Sequence, residues 1–271
     1  MPTLTRNGAT ISYTDTGAPS ERPDAATVVF GHGLLFSGRM FQAQVEVLRT
    51  HYRCVTIDWR GQGDTPATRS GYDMDTLTDD ALAVIESLDA GPVHYVGLSM
   101  GGFVGQRLAA RHGRVLRSLT LLDTSADREP TFSILQDIAM AYVHTLVGMR
   151  PLAPFVLPIM FGPTFRKGPA NEPAIAEFLD GIARTQRAGL RRAVLAVALR
   201  KPVYDELDRI PVPTLVIVGA DDVATKPEKA QRVAARVPGA RLEIVPNSGH
   251  SSTVEQPAAV TALIEEFLAS V

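Results

Sequence analysis

The stretch Val93-His94-Tyr95-Val96-Gly97-Leu98-Ser99-Met100-Gly101-Gly102 decides the fold. Val93–Leu98 is a nearly continuous apolar run, the pattern of a strand covered on both faces. Met100–Arg111 reads as a helix. Between them, Gly97-Leu98-Ser99-Met100-Gly101 forms G-x-S-x-G at a strand-to-helix turn. The chain must reverse sharply there. Gly97 and Gly101 leave room for the crowded backbone, and Gly102 and Gly105 let the helix pack close to the sheet. Such a turn pushes the Ser99 hydroxyl out at the top of the sheet and aims the Met100 N–H at a developing oxyanion. The plainer alternative is a glycine-rich turn with an incidental serine. The strand before it and the helix after it favour a nucleophile.

Outward from this turn, strand and helix alternate. Asn7-Gly8 between short alternating runs predicts a hairpin turn. Thr27–Phe30 reads as a strand ended by Gly31-His32-Gly33, Met40–Leu48 as a helix, Cys54–Trp59 as a strand and Asp75–Leu88 as a helix. Downstream, Leu116–Leu122 reads as another strand. This rhythm predicts an α/β protein with a mostly parallel sheet flanked by helices. It breaks near Asp127. From there to about Leu207 the periodicity is helical, over Ile134–Val147, Ala174–Thr185 and Leu190–Leu199. Eight of the chain's 19 prolines fall between residues 127 and 205, which predicts short helices rather than a long bundle. The rhythm then resumes with the strand Thr214–Val218, the helix Lys226–Val237, the strand Arg241–Val245 and the helix Pro257–Ala269. The expected division is a core formed by residues 1–126 and 206–271, with residues 127–205 inserted as a helical cap. A cap there would cover the carboxyl ends of the strands, where open α/β sheets bind ligands.

Composition removes other classes. Lys+Arg total 27 and Asp+Glu 29, a net charge of −2. That balance speaks against a nucleic-acid partner and against a polybasic membrane patch. The single cysteine, Cys54, excludes an internal disulfide and a cysteine zinc site, and its apolar surroundings make it a buried strand residue. No apolar leader and no run of about 18 apolar residues is visible, so a cytoplasmic protein with no membrane partner is expected. There is no GK dipeptide and no G-x-G-x-x-G after a strand. No His/Asp/Glu cluster has metal-binding spacing, so no cofactor and no metal are expected. Oligomeric state is not legible.

A serine hydroxyl is a poor nucleophile at neutral pH without a base. Of six histidines, His51, His94, His112 and His144 carry no motif and read as ordinary surface or packing residues. His250 follows the last strand in Pro246-Asn247-Ser248-Gly249-His250, at the same sheet end as Ser99, and reads as the general base. An acid must orient it. Asp221 and Asp222 follow the strand Thr214–Val218, and Asp123 follows Leu116–Leu122. The order Ser99, Asp222, His250 favours Asp222.

These residues carry a resemblance to the α/β-hydrolase superfamily across nearly the whole chain. His32-Gly33 looks like its HG motif, which would make the N–H of Leu34 the second oxyanion donor beside Met100. Asp58-Trp59-Arg60-Gly61-Gln62-Gly63 resembles its D-x-R-G-x-G loop. Gly219-Ala220-Asp221-Asp222 resembles its G-x-x-D, which tips the choice of acid to Asp222. Gly249-His250-Ser251-Ser252-Thr253-Val254-Glu255-Gln256-Pro257 resembles its histidine segment. Within the superfamily the elbow looks most like 3-oxoadipate enol-lactonases and related bacterial esterases.

The resemblance implies the α/β-hydrolase fold and a cofactor-free serine hydrolase acting on a small ester or lactone through an acyl-enzyme. Alternatives on the same triad are C–C bond hydrolysis and perhydrolysis, and a rival of another class is a receptor without turnover. The apolar residues of the segments Leu190–Leu199 and Phe155–Phe161 either only pack the cap onto the sheet domain, or some of them line a closed, mostly apolar pocket above Ser99. An anionic substrate would need a cap cation, for which Arg128, Arg150, Arg184, Arg187, Arg191 and Arg192 are candidates.

Overall fold

Asn7 and Gly8, at φ 46° and 72°, turn the chain between β1 (Thr3–Arg6) and β2 (Ala9–Asp15), which pair antiparallel. Asparagine and glycine tolerate this left-handed conformation, and two such residues match the twist of a hairpin. The computed structural model of the protein describes residues 1–271. After the hairpin come β3 (Thr27–Gly31), α1 (Gln42–Leu48), β4 (Arg53–Ile57), α2 (Met74–Ser87), β5 (Val93–Leu98), α3 (Met100–His112) and β6 (Leu116–Leu122). Five helices follow without a strand: α4 (Thr131–Val147), α5 (Ala153–Met160), α6 (Pro163–Lys167), α7 (Glu172–Arg184) and α8 (Arg187–Ala198). The chain ends with β7 (Thr214–Gly219), α9 (Pro227–Arg236), β8 (Arg241–Val245), α10 (Ser252–Glu255) and α11 (Pro257–Ala269).

The eight strands form one sheet in the order β1-β2-β4-β3-β5-β6-β7-β8. From β4 to β8 every pairing is parallel, and only β2 runs the other way. The chain leaves β3 toward β4 on one side and leaves β5 toward β6 on the other. The crevice between these two strand ends is the topological switch point, where open parallel sheets hold ligands.

Two apolar layers cover the sheet. On one face Leu77, Ala81 and Val84 of α2, Val104 and Leu108 of α3, and Val233 of α9 are buried. On the other, Leu48 at the end of α1 packs with Val260, Ile264 and Phe267 of α11. Burying a side chain of this size contributes about 1.5–3 kcal/mol. A third cluster, including Val156, Phe161, Phe178 and Leu190, belongs to the helices between β6 and β7. No helix is long and apolar enough to cross a membrane.

The differences from the sequence expectations are local. Residues Gly38–Phe41 form a 3-10 turn before α1, because the Gly38 N–H is held by Asp58 Oδ1 at 2.7 Å. β4 stops at Ile57, short of Trp59, because the Trp59 N–H leaves the ladder and donates to His32 Nε2 at 3.0 Å. α2 begins at Met74, where the Asp73 side chain caps the Thr76 N–H. The apolar segment Phe155–Phe161 falls largely within α5 despite Pro158 inside it, whereas α6, five residues opened by Pro163, is a helix that the periodicity does not reveal. Cys54 is buried on β4, and burial pushes its thiol up to about 12.

Candidate active site

Ser99 occupies a backbone conformation, φ 51° and ψ −108°, that costs of order 1–3 kcal/mol for a residue with a side chain. Neighbouring bonds hold it there. The Ser99 N–H donates to Leu122 O at 2.8 Å, the Gly101 N–H donates to His32 O at 3.1 Å, and the Thr124 hydroxyl donates to Ser99 O at 2.9 Å. A Cβ on Gly101 would run into the Gly31 carbonyl, which is why the elbow needs glycine at that position.

His250 lies in the loop between β8 and α10. Its Nε2 accepts from the Ser99 hydroxyl at 2.9 Å, and its Nδ1 donates to Asp222 Oδ2 at 2.9 Å. Asp222 follows β7 and also accepts from the backbone N–H of Ala224 (2.8 Å) and Thr225 (2.9 Å) and from the Thr225 hydroxyl (2.8 Å). All three residues are buried. Burial alone would lower the basicity of His250. The charge and hydrogen bond of Asp222 outweigh it and hold the imidazole above the usual histidine value. Burial would raise Asp222, but His250 and the Thr225 bonds hold it below the usual carboxylate value.

The other two carboxylates are arranged differently. Asp123, at φ 44°, turns its side chain into the protein. There Oδ1 accepts from the Gly219 N–H at 2.8 Å and Oδ2 from the Ser252 N–H at 3.2 Å. Burial first, and then the neighbouring Asp222, push its pKa up to about 8. Asp221 makes no side-chain bond to His250; its backbone N–H donates to Ser248 O at 2.8 Å.

Two backbone N–H groups border Ser99 without a hydrogen-bond acceptor in the chain, those of Leu34 and Met100. Gly33 is close enough that a Cβ there would lie 3.6 Å from Ser99 Cβ. His32 shapes this corner. It is fully buried, and burial keeps it neutral. Its Nδ1 donates to Gly33 O at 2.7 Å while its Nε2 accepts from the Trp59 N–H. The D-x-R-G-x-G loop is fixed nearby by the paired bonds of Arg60 to Asp80, at 2.7 and 2.8 Å.

Ser99 and His250 open onto a cavity of about 320 Å³ beneath α4, α5 and α8. Fifteen of its 25 lining residues are hydrophobic, so its walls are mostly apolar. Leu190, Val194 and Val197 of α8 and Val156, Ile159 and Met160 of α5 line it, whereas Phe155 and Leu199 face solvent. Of the six cap arginines singled out in the sequence, only Arg191 lines the cavity; it makes no ion pair and stacks 5.2 Å over the Tyr142 ring.

Sequence reasoning missed several residues here. His144, expected as an ordinary surface or packing residue, is buried at the cavity wall. Arg200, Glu129 and Asp137 carry no motif. Arg200 is paired with Glu129 at 2.6 Å and lies over the Phe103 ring at 3.9 Å. Asp137 has no hydrogen-bond partner, and burial followed by Glu129 pushes it up to about 6. Thr225 was visible three residues after Asp222, where its hydroxyl could have been read as a partner.

Comparison with known proteins identifies a family, relatives and structural neighbours. The model of the alpha/beta hydrolase family matches residues 28–263. The chain is 28% identical over 255 residues to a protein named for carbamate hydrolysis, RutD of Caulobacter sp. (strain K31), covering 93% of each chain. It is 28% identical over 267 residues to 3-oxoadipate enol-lactonase 2 of Acinetobacter baylyi, covering 98% of this chain and 96% of that one. Among solved structures, the enol-lactonase from Burkholderia xenovorans LB400 superposes with a TM-score of 0.90 at 28% identity, covering 99% of this chain and 100% of that one. The elbow, the strand order and a family match spanning most of the chain lead to one assignment: the chain belongs to the alpha/beta hydrolase family and is a hydrolase.

Proposed function

We propose that the protein hydrolyses a small, largely uncharged carboxylic ester or lactone through an acyl-enzyme on Ser99. Ser99 Oγ attacks the carbonyl carbon while His250 Nε2 takes its proton. The N–H groups of Leu34 and Met100 receive the oxyanion, a contribution of about 3–4 kcal/mol per donor. His250 then protonates the leaving alkoxide. Water, deprotonated by His250, attacks the acyl carbon, and as the acyl–oxygen bond breaks His250 passes that proton to Ser99 Oγ, releasing the acid and free Ser99. Asp222 holds the imidazole's orientation and stabilises the imidazolium.

The observation that carries this reading is the unbroken hydrogen-bonded chain Ser99–His250–Asp222, 2.9 Å at each link, at the wall of an apolar cavity. Charge supports the uncharged substrate. Glu129 and Arg200 neutralise each other, and the remaining lining charges are Arg191 and Asp137. With two lining carboxylates, Glu129 and Asp137, and two lining guanidiniums, Arg191 and Arg200, the cavity carries no net charge to favour an anion. The volume lies near the small end of the usual 300–1,000 Å³ range of ligand sites.

A chain-length series of p-nitrophenyl esters, run beside a carboxylated lactone and a carbamate, tests the reading. Measurable kcat/KM is expected from acetyl to hexanoyl and little on palmitoyl, since overfilling a packed pocket costs about 1–3 kcal/mol. Activity climbing steadily to palmitoyl would refute the small pocket. A strong preference for the carboxylated lactone that disappears in Arg191→Ala would replace the uncharged substrate with an anionic one.

A pH profile gives an independent check. His250 must be neutral to accept the serine proton, and its pKa is raised. The rate should therefore fall as pH drops, along a limb centred above 6.5, the ordinary histidine value. Asp222→Asn removes the charge that favours imidazolium, so in that variant the limb should move to lower pH. A limb that stays in place would separate His250 from Asp222.

A further inference from the structure

Glu255 is a buried carboxylate, 6% exposed, whose hydrogen-bond partners are all backbone N–H groups. Its Oε2 accepts from Gly249 at 2.9 Å and its Oε1 from Ser251 at 3.1 Å. These are the two residues that flank His250. Oε2 also accepts from Gly162 at 2.8 Å, 93 residues away between α5 and α6. Alongside, the Ser251 hydroxyl donates to Met160 O at 2.7 Å. The two glycines face each other. A Cβ on Gly162 would lie 2.8 Å from Gly249 N and 3.1 Å from Glu255 Oε2, and a Cβ on Gly249 would lie 2.8 Å from Gly162 Cα. Neither position admits a larger residue without moving the helical layer away from the His250 loop.

A helix-capping role accounts for the Ser251 bond, since side chains near a helix start commonly satisfy its free N–H groups. It does not account for Gly162. Nor is a buried carboxylate a low-cost way to fill space, because an ionised group out of water needs compensating donors. Here burial pushes Glu255 up, and the three N–H bonds together with His250 work against that shift. The donors join two separate parts of the site.

We propose that Glu255 is a positioning residue that couples the seating of the helical layer over the cavity to the placement of His250. The inference rests on the reading of His250 as the base. When Met160–Gly162 sits against the loop, the Glu255 carboxylate grips both neighbours of His250 and holds the imidazole toward Ser99. When that seat is disturbed, the same carboxylate loses one of its donors and the His250 loop loses its brace.

The test uses Glu255→Gln and Gly162→Ala, singly and together. In Glu255→Gln the amide NH2 must face at least one of the three N–H groups. Misplacing a catalytic group by about 1 Å can cost 10²-fold. The expected result is a fall in kcat on p-nitrophenyl acetate of about 10–100-fold, with KM changed less than about threefold. Fluorophosphonate labelling of Ser99 should slow by a similar factor. Gly162→Ala touches no reacting group and should still lower kcat. The double variant should lose little beyond the worse single variant, because coupled changes are not additive. The downfield proton resonance of the His250 Nδ1–H, read without substrate, should shift or broaden in both single variants. If Glu255→Gln does not fold, Gly162→Ala and its resonance carry the test.

The proposal is overturned if Glu255→Gln keeps kcat within twofold while only Tm falls, if Gly162→Ala leaves both kcat and the resonance unchanged, or if the losses multiply in the double variant. Failure of the functional reading looks different: Ser99→Ala would then retain turnover, while the resonance would still report whether the loop and the helical layer are coupled.

Discussion

Ser99→Ala should lower kcat on p-nitrophenyl acetate by about 10⁶-fold, the scale seen when a triad nucleophile is removed. The same change should abolish labelling by a fluorophosphonate, which in the unaltered protein should modify Ser99 alone. The expectation follows from geometry. Ser99 is the hydroxyl bonded to His250 Nε2, and it is fixed at the elbow by bonds to Leu122, Thr124 and the neighbouring turn. Alanine keeps the elbow, since its Cβ occupies the same place, so the folded protein should persist with an unchanged melt. Residual turnover would come from the Leu34 and Met100 N–H groups and from binding. A burst of p-nitrophenol equal to the enzyme concentration, present in the parent and absent in the variant, would identify the acyl-enzyme. Labelling that persists in Ser99→Ala would overturn the assignment. A binding protein without turnover would show neither burst nor steady release in the parent.

The second large effect distinguishes the three carboxylates. Asp222→Asn should cost about 10⁴-fold in kcat, because an amide turned toward Nδ1 favours the wrong imidazole tautomer. Asp221→Asn should cost far less, since its side chain makes no bond to His250. Asp123→Asn should also cost far less in kcat, but not because Asp123 is distant from the chemistry. Its carboxyl joins Gly219, which precedes the Asp222 loop, to Ser252, which follows His250. Asparagine keeps an acceptor for one of these N–H groups and sets an NH2 against the other. Its cost should therefore fall mainly on Tm. If Asp123→Asn proves the more damaging to kcat, the acid comes from the end of β6 and the mechanism must be redrawn.

The elbow was legible because its chemistry is local. Glycines around a serine between an apolar strand and a helix can serve few geometries, and the steric reason, Gly101 against Gly31, is built into the close packing of α3 on the sheet. The sheet was legible for a similar reason, since parallel strands covered on both faces must be apolar throughout. The short helix α6 was not legible, because five residues opened by Pro163 carry too little of a helical period.

What the residue order determined by itself was the class of fold, the candidate nucleophile and the segment that supplies its histidine partner, each encoded within a few consecutive residues. The tertiary structure decided which carboxylate meets the imidazole. Asp123 and Asp222 both follow neighbouring parallel strands, and only the direction of each side chain at the strand end separates them. It also decided which residues between β6 and β7 line the cavity: Arg191 but not five other arginines, and with it Asp137, His144 and Arg200. And it brought Glu255 to Gly162 across 93 residues. Such choices depend on the orientation of side chains between elements that local propensity does not couple, so they are settled when the helical layer packs onto the strand ends.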